Sequence, residues 1–275
     1  MGFIVAVAQM NSMSGEVARN LEKAEKLVRA AASLGAKLVV LPETFSTGFD
    51  IGQDVLNFAE PIPGKTTDHI SALCRELKVF FFASLIEREK DRCFNTGVFI
   101  GPDGQLVAKY RKVHLFHSEK QMFIEGYEPA IIETELGTFG LTICMDLLFP
   151  EYIRGLVLNG AEYILNTTNW LRWGPPDEWG WSHLQPRALA CIRALENTVG
   201  LAMACQWGQE GAFTKFGYSC IVSPSGRILA GLEEGEGVVV HELSMDRVEE
   251  WRKIATYLKD RKAHVNLYRR LLENQ

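Results

Sequence analysis

Three residues of different chemical types each lie at the end of an apolar stretch or in a run that leads into one. Cys144 ends an apolar stretch and begins a turn that leads into a predicted helix, where backbone N–H groups and the positive end of the helix dipole favour an exposed thiolate. Glu43 directly follows the apolar residues 37–42, so its carboxylate would emerge at the carboxyl edge of a sheet, where α/β folds bind ligands. Lys112 lies in a basic run that apolar residues follow. Together they supply a nucleophile, a base and a fixed cation, the groups that covalent catalysis uses.

Each of the three also has an interpretation without chemistry. A single cysteine at a strand end is most often a buried thiol, because free cysteine is among the most buried residue types. A glutamate that follows a strand is often a surface side chain, and most basic runs are solvated faces. Their common place at strand ends favours the catalytic interpretation of the set over these separate ones.

The sequence around these residues predicts alternating strands and helices. Residues 3–8 alternate like a strand, and the apolar positions from 17 to 31 recur every three or four residues, as on one face of a helix. An apolar strand at 37–42 then completes a β-α-β unit. Further strands are predicted at 79–85, 96–100, 106–109, 138–143, 162–166, 199–205 and 238–243, helices at 70–77, 150–158, 181–197 and 246–254, and a hairpin at 218–229.

The two halves of the chain resemble each other. Residues 34–44 and 159–168 share a pattern in which a helix end, Gly-Ala, an apolar strand and polar residues follow one another. We therefore expect two similar α/β layers packed sheet to sheet. One domain would span residues 1–275, with a short tail over 254–275 and no interdomain linker.

The composition favours a globular protein with a small-molecule partner. The formal net charge of -5 is spread without blocks, which gives no electrostatic footprint for nucleic acid or for an anionic membrane. No apolar stretch approaches the roughly 18 to 20 residues needed to cross a bilayer. The first residues lack a basic leader, and the six cysteines are widely spaced in apolar runs, so we expect a cytoplasmic protein with free thiols.

Five segments, in their order and spacing, resemble the nitrilase superfamily of carbon-nitrogen hydrolases along essentially the whole chain. Each segment is weak alone, whereas the set is highly specific. The segments are Leu38–Phe45 (LVVLPETF), Tyr110–Phe116 (YRKVHLF), Leu141–Glu151 (LTICMDLLFPE), Arg193–Thr198 (RALENT) and Tyr218–Gly226 (YSCIVSPSG).

The resemblance implies an α/β fold built as a four-layer α-β-β-α sandwich. It assigns Cys144 as nucleophile, Glu43 as base and Lys112 as the cation that stabilises the oxyanion of the tetrahedral intermediate. No cofactor and no metal is expected. His114 and His117 are three residues apart without a supporting carboxylate cluster, which is typical of loop or packing residues rather than of a zinc site.

The resemblance also implies a second glutamate in the loop after the lysine. Glu119 and Glu125 are both candidates. Glu119 is preferred because placing Gly126 on the loop glycine of the family leaves seven residues back to this glutamate and needs no gap up to Cys144. Glu125 stays open as the alternative, and either one could be a solvated loop carboxylate.

The elbow sequence bears on the substrate. Cys144-Met145-Asp146 resembles the amidases and carbamoylases, whereas true nitrilases tend to carry Cys-Trp-Glu. Many members that recognise a substrate carboxylate have arginine where this chain has Leu148, and some members with an apolar elbow act on nitriles. We expect an amidase that converts a small aliphatic, ω- or N-carbamoyl amide to acid and ammonia. The alternatives are a nitrilase and a non-catalytic scaffold subunit, against which the retained triad argues.

The segment after the strand at 162–166 would lie over the nucleophile by the same topological argument. Asn169 and Trp170 are candidates for substrate binding, with Trp170 and its neighbours forming the acyl wall, and Arg172 is a candidate to replace the missing arginine. Four of the six tryptophans fall between Trp170 and Trp181. These aromatics could instead fill a subunit interface, since we expect a homodimer or a larger even assembly.

Overall fold

Fourteen strands and eight α-helices are distributed over the part of the chain that the computed structural model describes, residues 2–52, 55–172 and 180–273. The strands are β1 (Gly2–Gln9), β2 (Leu38–Val40), β3 (Phe80–Glu89), β4 (Arg92–Ile100), β5 (Leu106–Arg111), β6 (Ile131–Thr134), β7 (Gly137–Ile143), β8 (Tyr163–Thr168), β9 (Gly200–Cys205), β10 (Trp207–Glu210), β11 (Phe213–Phe216), β12 (Cys220–Val222), β13 (Ile228–Gly231) and β14 (Gly237–Ser244). The helices are α1 (Val17–Ser33), α2 (Val55–Phe58), α3 (Lys65–Leu77), α4 (Pro150–Leu158), α5 (Leu184–Asn197), α6 (Met245–Ile254), α7 (Tyr257–Ala263) and α8 (Val265–Glu273).

Two six-stranded sheets have the same sequence of strand directions. The first has the order β14-β1-β2-β3-β4-β5 and the second, read from its other edge, β6-β7-β8-β9-β12-β13. In each sheet the three strands after the edge are parallel and the remaining pairs are antiparallel. The parallel strands are joined by helices, α1 and α3 in the first sheet and α4 and α5 in the second. The similarity of the two halves in the sequence thus corresponds to two sheets of like topology.

The alternation of side chains along the central strands explains the layers. In β1, Phe3, Val5 and Val7 face the second sheet and pack in one core with Phe139 and Leu165. The residues between them, Ala6 and Ala8, belong to a second core with helices α1 and α3. A third core lies between α4, α5 and the outer face of the second sheet. Because both faces of these strands are covered, nearly all of their residues are apolar. The predicted four-layer α-β-β-α sandwich is confirmed.

Several elements differ from the sequence-based prediction. The helix predicted from 181 begins at Leu184, and the hairpin of β10 and β11 was not predicted, because its alternating polar residues give no apolar period. The chain after Ile254 forms α7 and α8, which the sequence analysis treated as a tail. None of the helices in residues 2–52, 55–172 and 180–273 is long and apolar enough to cross a membrane.

Candidate active site

Five of the predicted site residues, Glu43, Lys112, Glu119, Cys144 and Asn169, line one pocket between the carboxyl ends of strands from both sheets. Lys112 directly follows β5, Cys144 directly follows β7, and Glu43 lies three residues after β2. Glu119 lies in a 3-10 turn, His117–Gln121, that follows the lysine. The strand ends thus bring residues that are up to 101 positions apart, Glu43 and Cys144, to one place.

Lys112 holds two buried carboxylates. Its Nζ donates to Glu43 Oε1 at 2.7 Å and to Glu119 Oε2 at 2.6 Å, and all three side chains are at most 2% exposed. An ammonium has three N–H donors, so one remains for a ligand. The described lining of the pocket therefore contains one fixed ammonium, which two carboxylates orient.

Asn95 forms a second bridge between the same two carboxylates, and the sequence analysis missed it. Its Nδ2 donates to Glu43 Oε1 and to Glu119 Oε1, each at 2.8 Å. The Lys112 backbone N–H donates to the Asn95 carbonyl at 2.9 Å, which fixes the two residues side by side on neighbouring strands. In the sequence, Asn95 is a polar residue within the largely apolar stretch that forms β4, and this was the signal that could have identified it. In the structure it is 0% exposed.

Burial and the unequal numbers of anions and cations set the proton affinities in the pocket. Burial alone would lower the pKa of Lys112, but the charges of Glu119 and Glu43 outweigh it, so this pKa lies above its ordinary value. Burial raises the pKa of Glu43, the Lys112 charge lowers it and the Glu119 charge raises it, with a net shift upwards. A single ammonium cannot compensate two carboxylates fully, which makes Glu43 a stronger base than a solvated glutamate.

The Cys144 thiol is buried rather than exposed, and this corrects the expectation from the sequence. Its residue is 7% exposed, and burial together with the Glu43 charge raises the pKa of the thiol, although Lys112 and the backbone of Asn169 act in the opposite direction. The helix α4 begins only at Pro150, after a 3-10 turn, so its dipole does not start at the sulfur. The resting nucleophile is therefore a neutral thiol that needs a base.

The elbow at Cys144 has a strained backbone that a buried aspartate holds. Cys144 has φ of 44°, a conformation that costs free energy for a residue with a side chain. Asp146 accepts hydrogen bonds from the Ile143 N–H at 2.8 Å and the Tyr110 hydroxyl at 2.7 Å. It also contacts His114 Nδ1 at 2.8 Å. Since Tyr110 and His114 flank Lys112 by two residues on each side, Asp146 ties the elbow to the lysine segment.

Apolar side chains form most of the remaining wall that the described residues provide. The pocket is narrow, with a cavity volume of about 10 Å³. Asn169 also lines it, is 6% exposed, and finds no hydrogen-bond partner for either its Oδ1 or its Nδ2 within the described ranges. The apolar wall residues are Phe49, Phe116, Met145, Leu171 and Trp181.

The other two predicted binding residues lie outside this lining. Trp170 is buried behind the wall, with its ring centroid 5.1 Å from that of Trp181. Arg172 is exposed, and its backbone N–H donates to Thr214 at 2.8 Å. Trp173 and Trp179, which the sequence analysis grouped with Trp170, lie outside the described residues.

The two candidate glutamates of the lysine loop have different environments. Glu119 is fully buried beside Lys112, and its Oε2 also accepts the Phe116 N–H at 2.7 Å. Glu125 is exposed. Gly126 packs against the lysine strand so closely that a Cβ there would lie 2.1 Å from the Arg111 carbonyl oxygen. The loop is thus pinned to the strand at the position that the sequence analysis used to align it.

The hairpin of β10 and β11 supports two walls of the pocket. Glu210 Oε1 accepts the Phe49 N–H at 2.8 Å, and its Oε2 accepts Lys215 Nζ at 3.0 Å, both side chains being buried. The Phe216 N–H donates to Trp170 at 3.0 Å, and Leu171 pairs with Lys215. The sequence analysis missed Glu210 and Lys215, because both lie in a segment without an apolar pattern.

No group of three or more His, Cys, Asp and Glu side chains that could hold a metal ion occurs in residues 2–52, 55–172 and 180–273. His114 stacks on Phe149 with ring centroids 3.7 Å apart. The donors gathered in the pocket are instead suited to proton transfer and to binding an oxyanion.

Replacing Lys112 should make stability strongly dependent on pH. In Lys112→Met, Glu43 loses the cation that lowers its pKa, so its folded-state pKa rises further above the unfolded value near 4.3. The folded state then binds the proton more tightly, and the variant loses stability as the pH rises. We expect a loss of about 3–5 kcal/mol in the free energy of unfolding at pH 8 that shrinks towards pH 5, measured by urea denaturation at several pH values.

Lys109→Met is the matched control. Lys109 of β5 pairs with Glu87 of β3 but is 40% exposed, so its removal should cost less than about 1 kcal/mol at any of these pH values. A loss in Lys112→Met that does not change between pH 5 and pH 8 would contradict the electrostatic account of the pocket.

Comparison with known proteins identifies the family of this chain. Residues 4–253 match the sequence profile of the family described as carbon-nitrogen hydrolase. The chain is 36% identical over 266 residues to a nitrilase from Pyrococcus abyssi, with 94% of this chain and 97% of that protein covered. It is 31% identical over 266 residues to a chloroplastic omega-amidase from Arabidopsis thaliana, with 91% and 70% covered.

A solved structure with a similar fold contains a covalent adduct on its active site cysteine. It is a mutant of an amidase from Nesterenkonia sp. AN1 with covalent addition of the acetamide moiety of fluoroacetamide at the active site cysteine. Its TM-score against this chain is 0.82 at 25% identity, covering 97% of this chain and 96% of that one. The chain therefore belongs to the carbon-nitrogen hydrolase family, within the nitrilase superfamily, and is an enzyme that acts on carbon-nitrogen bonds other than peptide bonds.

Proposed function

We propose that this enzyme hydrolyses a small amide to a carboxylic acid and ammonia through a thioester on Cys144. The observation that carries the proposal is the Lys112 ion pair with Glu43 in the pocket that the Cys144 thiol also lines. It combines a nucleophile, a base with raised proton affinity and an oriented cation in a water-poor site.

Acylation begins with removal of the thiol proton. Because the pKa of Cys144 is raised, the sulfur attacks the amide carbon while Glu43 takes its proton. Glu43 Oε1 already accepts two hydrogen bonds, and within the described residues no bond is made to Oε2, which is the oxygen available for that proton. The proton then passes to the amide nitrogen as the carbon-nitrogen bond breaks. Ammonia leaves and the acyl group stays on sulfur.

The oxyanion of the tetrahedral intermediate needs donors that are already in place. The third N–H of Lys112 is free for it, and the two carboxylates hold that ammonium in position. A backbone N–H at the elbow adds a second donor. Removing one donor of this kind typically slows a reaction by about 100- to 1000-fold.

Deacylation reverses the proton path. A water molecule takes the place of ammonia, Glu43 accepts its proton, and the hydroxyl oxygen attacks the thioester carbon. The tetrahedral intermediate collapses to a carboxylic acid, and the proton returns to the sulfur. The cycle consumes one amide and one water and regenerates the thiol.

Glu119 has a different role in this proposal from that of Glu43. Its two oxygens accept hydrogen bonds from Asn95, Lys112 and the Phe116 backbone, so within the described ranges it is held from three sides. A carboxylate held in this way is a good support for the lysine. We assign Glu119 to orienting Lys112 and the substrate amide nitrogen, and Glu125, which is exposed, to neither.

Asn169 is proposed as the polar contact for the substrate. A buried amide group without a partner is rare in folded proteins, because it has lost its hydrogen bonds to water. Asn169 lines the pocket that Cys144 also lines, and a substrate that offers a donor and an acceptor would satisfy its amide group. Trp170 would support the acyl wall from behind through Trp181.

A nitrile is the second candidate substrate. The same thiol could attack a nitrile carbon while Lys112 stabilises the negative charge that forms, and the Pyrococcus abyssi relative at 36% identity is named a nitrilase. The amide is preferred because the elbow reads Cys-Met-Asp, and because the Arabidopsis relative and the Nesterenkonia structure are an omega-amidase and an amidase.

We also propose an even homo-oligomer. Its support is a set of large apolar side chains left exposed on the helical layers, namely Leu158, Leu184, Ile192, Ile254, Tyr257 and Leu271. Sedimentation velocity should give twice the monomer mass or a larger even multiple. A monomer at micromolar concentration would contradict the proposal.

Cys144 is tested by product analysis. Wild-type enzyme should release ammonia from small amides such as propionamide, while Cys144→Ala should lose at least about 1000-fold in kcat/KM, since no thioester can form. Intact-mass detection after rapid acid quench should show the acyl adduct on the wild type alone. Ammonia released only from nitriles would favour the nitrilase, and no release from either class would contradict both.

Cys205→Ala is the control for that variant. Cys205 is also fully buried but does not line the pocket, so its replacement should keep kcat/KM within about threefold while costing some stability. A similar loss of activity in both variants would point to damage of the fold rather than to removal of the nucleophile.

Asn169→Leu should separate substrate binding from stability. Removing a buried amide that has no partner should leave the free energy of unfolding unchanged or raise it, whereas KM should rise about 5- to 10-fold with the lost hydrogen bond. Asn166→Leu is the matched control, because Asn166 Nδ2 donates to Thr142 at 2.9 Å and does not line the pocket. The control should lose stability and keep KM. A loss of stability with unchanged KM in Asn169→Leu, together with a raised KM in Asn166→Leu, would disprove the binding role of Asn169.

A further inference from the structure

The charges in the pocket bear on whether the acyl chain of the substrate can carry a charge, an inference that rests on the proposed function. The described lining contains three ionisable groups that carry charge, the carboxylates of Glu43 and Glu119 and the ammonium of Lys112. With all three ionised the pocket has a net charge of one negative unit. An anionic group on the substrate would therefore enter a low-dielectric site of its own sign.

The one cation of the lining is already engaged. Lys112 gives two of its three donors to carboxylates, and the mechanism uses the third for the oxyanion. A substrate carboxylate could bind Lys112 only by displacing the reacting oxygen. Recognition of a distant carboxylate would thus need a second cation.

Neighbouring basic residues in the described part of the chain do not supply that cation. Arg172 is exposed and outside the lining. Lys215 is buried, but its Nζ donates to Glu210 and to the Ser12 carbonyl. His114 contacts Asp146 through its Nδ1 and does not line the pocket.

The sequence of the remaining segments supplies no cation either. Residues 173–179 contain Asp177 and Glu178 and no Lys, Arg or His, and residues 53–54 are Gln and Asp. At the elbow, Leu148 is apolar and adds no charge. Besides Cys144 and Asn169, five apolar side chains form the rest of the described wall.

We propose that this pocket selects amides whose acyl chain is short and uncharged, and excludes those whose acyl chain ends in a carboxylate. The ω-amide of a dicarboxylic acid belongs to the excluded class, although several relatives are omega-amidases. The apolar wall binds the acyl chain, and Asn169 offers hydrogen bonds without charge.

Three amides of matched shape test the proposal. 4-Methylpentanamide, succinamide and succinamate share a chain that ends in an isopropyl, a carboxamide or a carboxylate group, so polarity is separated from charge. We expect kcat/KM of the better neutral amide to exceed that of succinamate by at least about 100-fold at pH 7.5. Succinamate hydrolysed within threefold of succinamide, or faster, would overturn the proposal.

A paired substitution places a cation in the wall. Met145 lines the pocket and is half-buried, so Met145→Arg can reach the acyl chain, and Met145→Gln controls for size and polarity. The ratio of kcat/KM for succinamate to that for succinamide should rise at least about 10-fold in Met145→Arg and stay within threefold in Met145→Gln. The ratio cancels any general loss of activity. An unchanged ratio in both variants would count against charge as the selecting property.

Binding to an inactive variant keeps the test independent of turnover. Calorimetric titration of Cys144→Ala with the same three amides should show binding of a neutral amide and none of succinamate at ten times that concentration. If wild-type enzyme hydrolyses none of the amides, the proposed function fails, and the titration still decides the charge preference of the pocket. If the amides are hydrolysed but succinamate binds as well as succinamide, only the charge preference fails.

Discussion

The burial of one ammonium between two carboxylates is the interaction on which the site depends. Removing three charges from water is costly, and the mutual attraction of Lys112, Glu43 and Glu119 offsets that cost only with short, well-directed hydrogen bonds. Asn95 supplies the further bonds that keep the carboxylates in place. Burial, and then the charge of Glu119, raise the pKa of Glu43 against the opposing charge of Lys112. In the proposed mechanism this raised pKa lets Glu43 take the proton of the Cys144 thiol, whose own pKa burial has raised.

Such a cluster requires a scaffold that brings several strand ends to one point. The two sheets do so because each has parallel strands at its centre, and parallel strands end on the same side. Glu43 follows β2 in one sheet and Asn169 follows the corresponding strand β8 in the other, so the two half-sites face each other. The strained conformation at Cys144 is then fixed by Asp146, which joins the elbow to Tyr110 and His114 around the lysine. The nucleophile and the cation thus hold one another in register, as precise positioning of reacting groups demands.

The sequence predicted the layers and the strand-end residues because both depend on local patterns. Apolar runs bounded by polar residues gave the parallel strands, and the residues after two of them gave Glu43 and Cys144, whereas Lys112 came from a basic run that apolar residues follow. What it missed depends on contacts across the fold. Asn95 looks like one polar residue in an apolar strand, and Glu210 and Lys215 look like surface charges on a polar hairpin, until tertiary packing buries them. The expectation of an exposed thiolate was wrong for the same reason, because sequence patterns place an elbow but not the side chains that cover it.

Reaction chemistry and substrate choice are carried by different parts of this pocket. Lys112, Glu43 and Glu119 are bound to each other, and in the proposed mechanism they act with Cys144 on the amide group, which is common to all substrates of the class. In that proposal the acyl chain contacts other residues of the lining, from the 44–50 loop, the elbow and the segment after β8. Two of those residues are held from outside, Phe49 by Glu210 and Leu171 by its pairing with β11, whereas Phe116 also donates its backbone N–H to Glu119. Since Lys112 has no donor to spare, an enzyme of this design that recognises a substrate anion must place another cation in the wall. Identity of the triad between two such enzymes therefore argues for a common reaction, and the charge of the wall decides whether it argues for a common substrate.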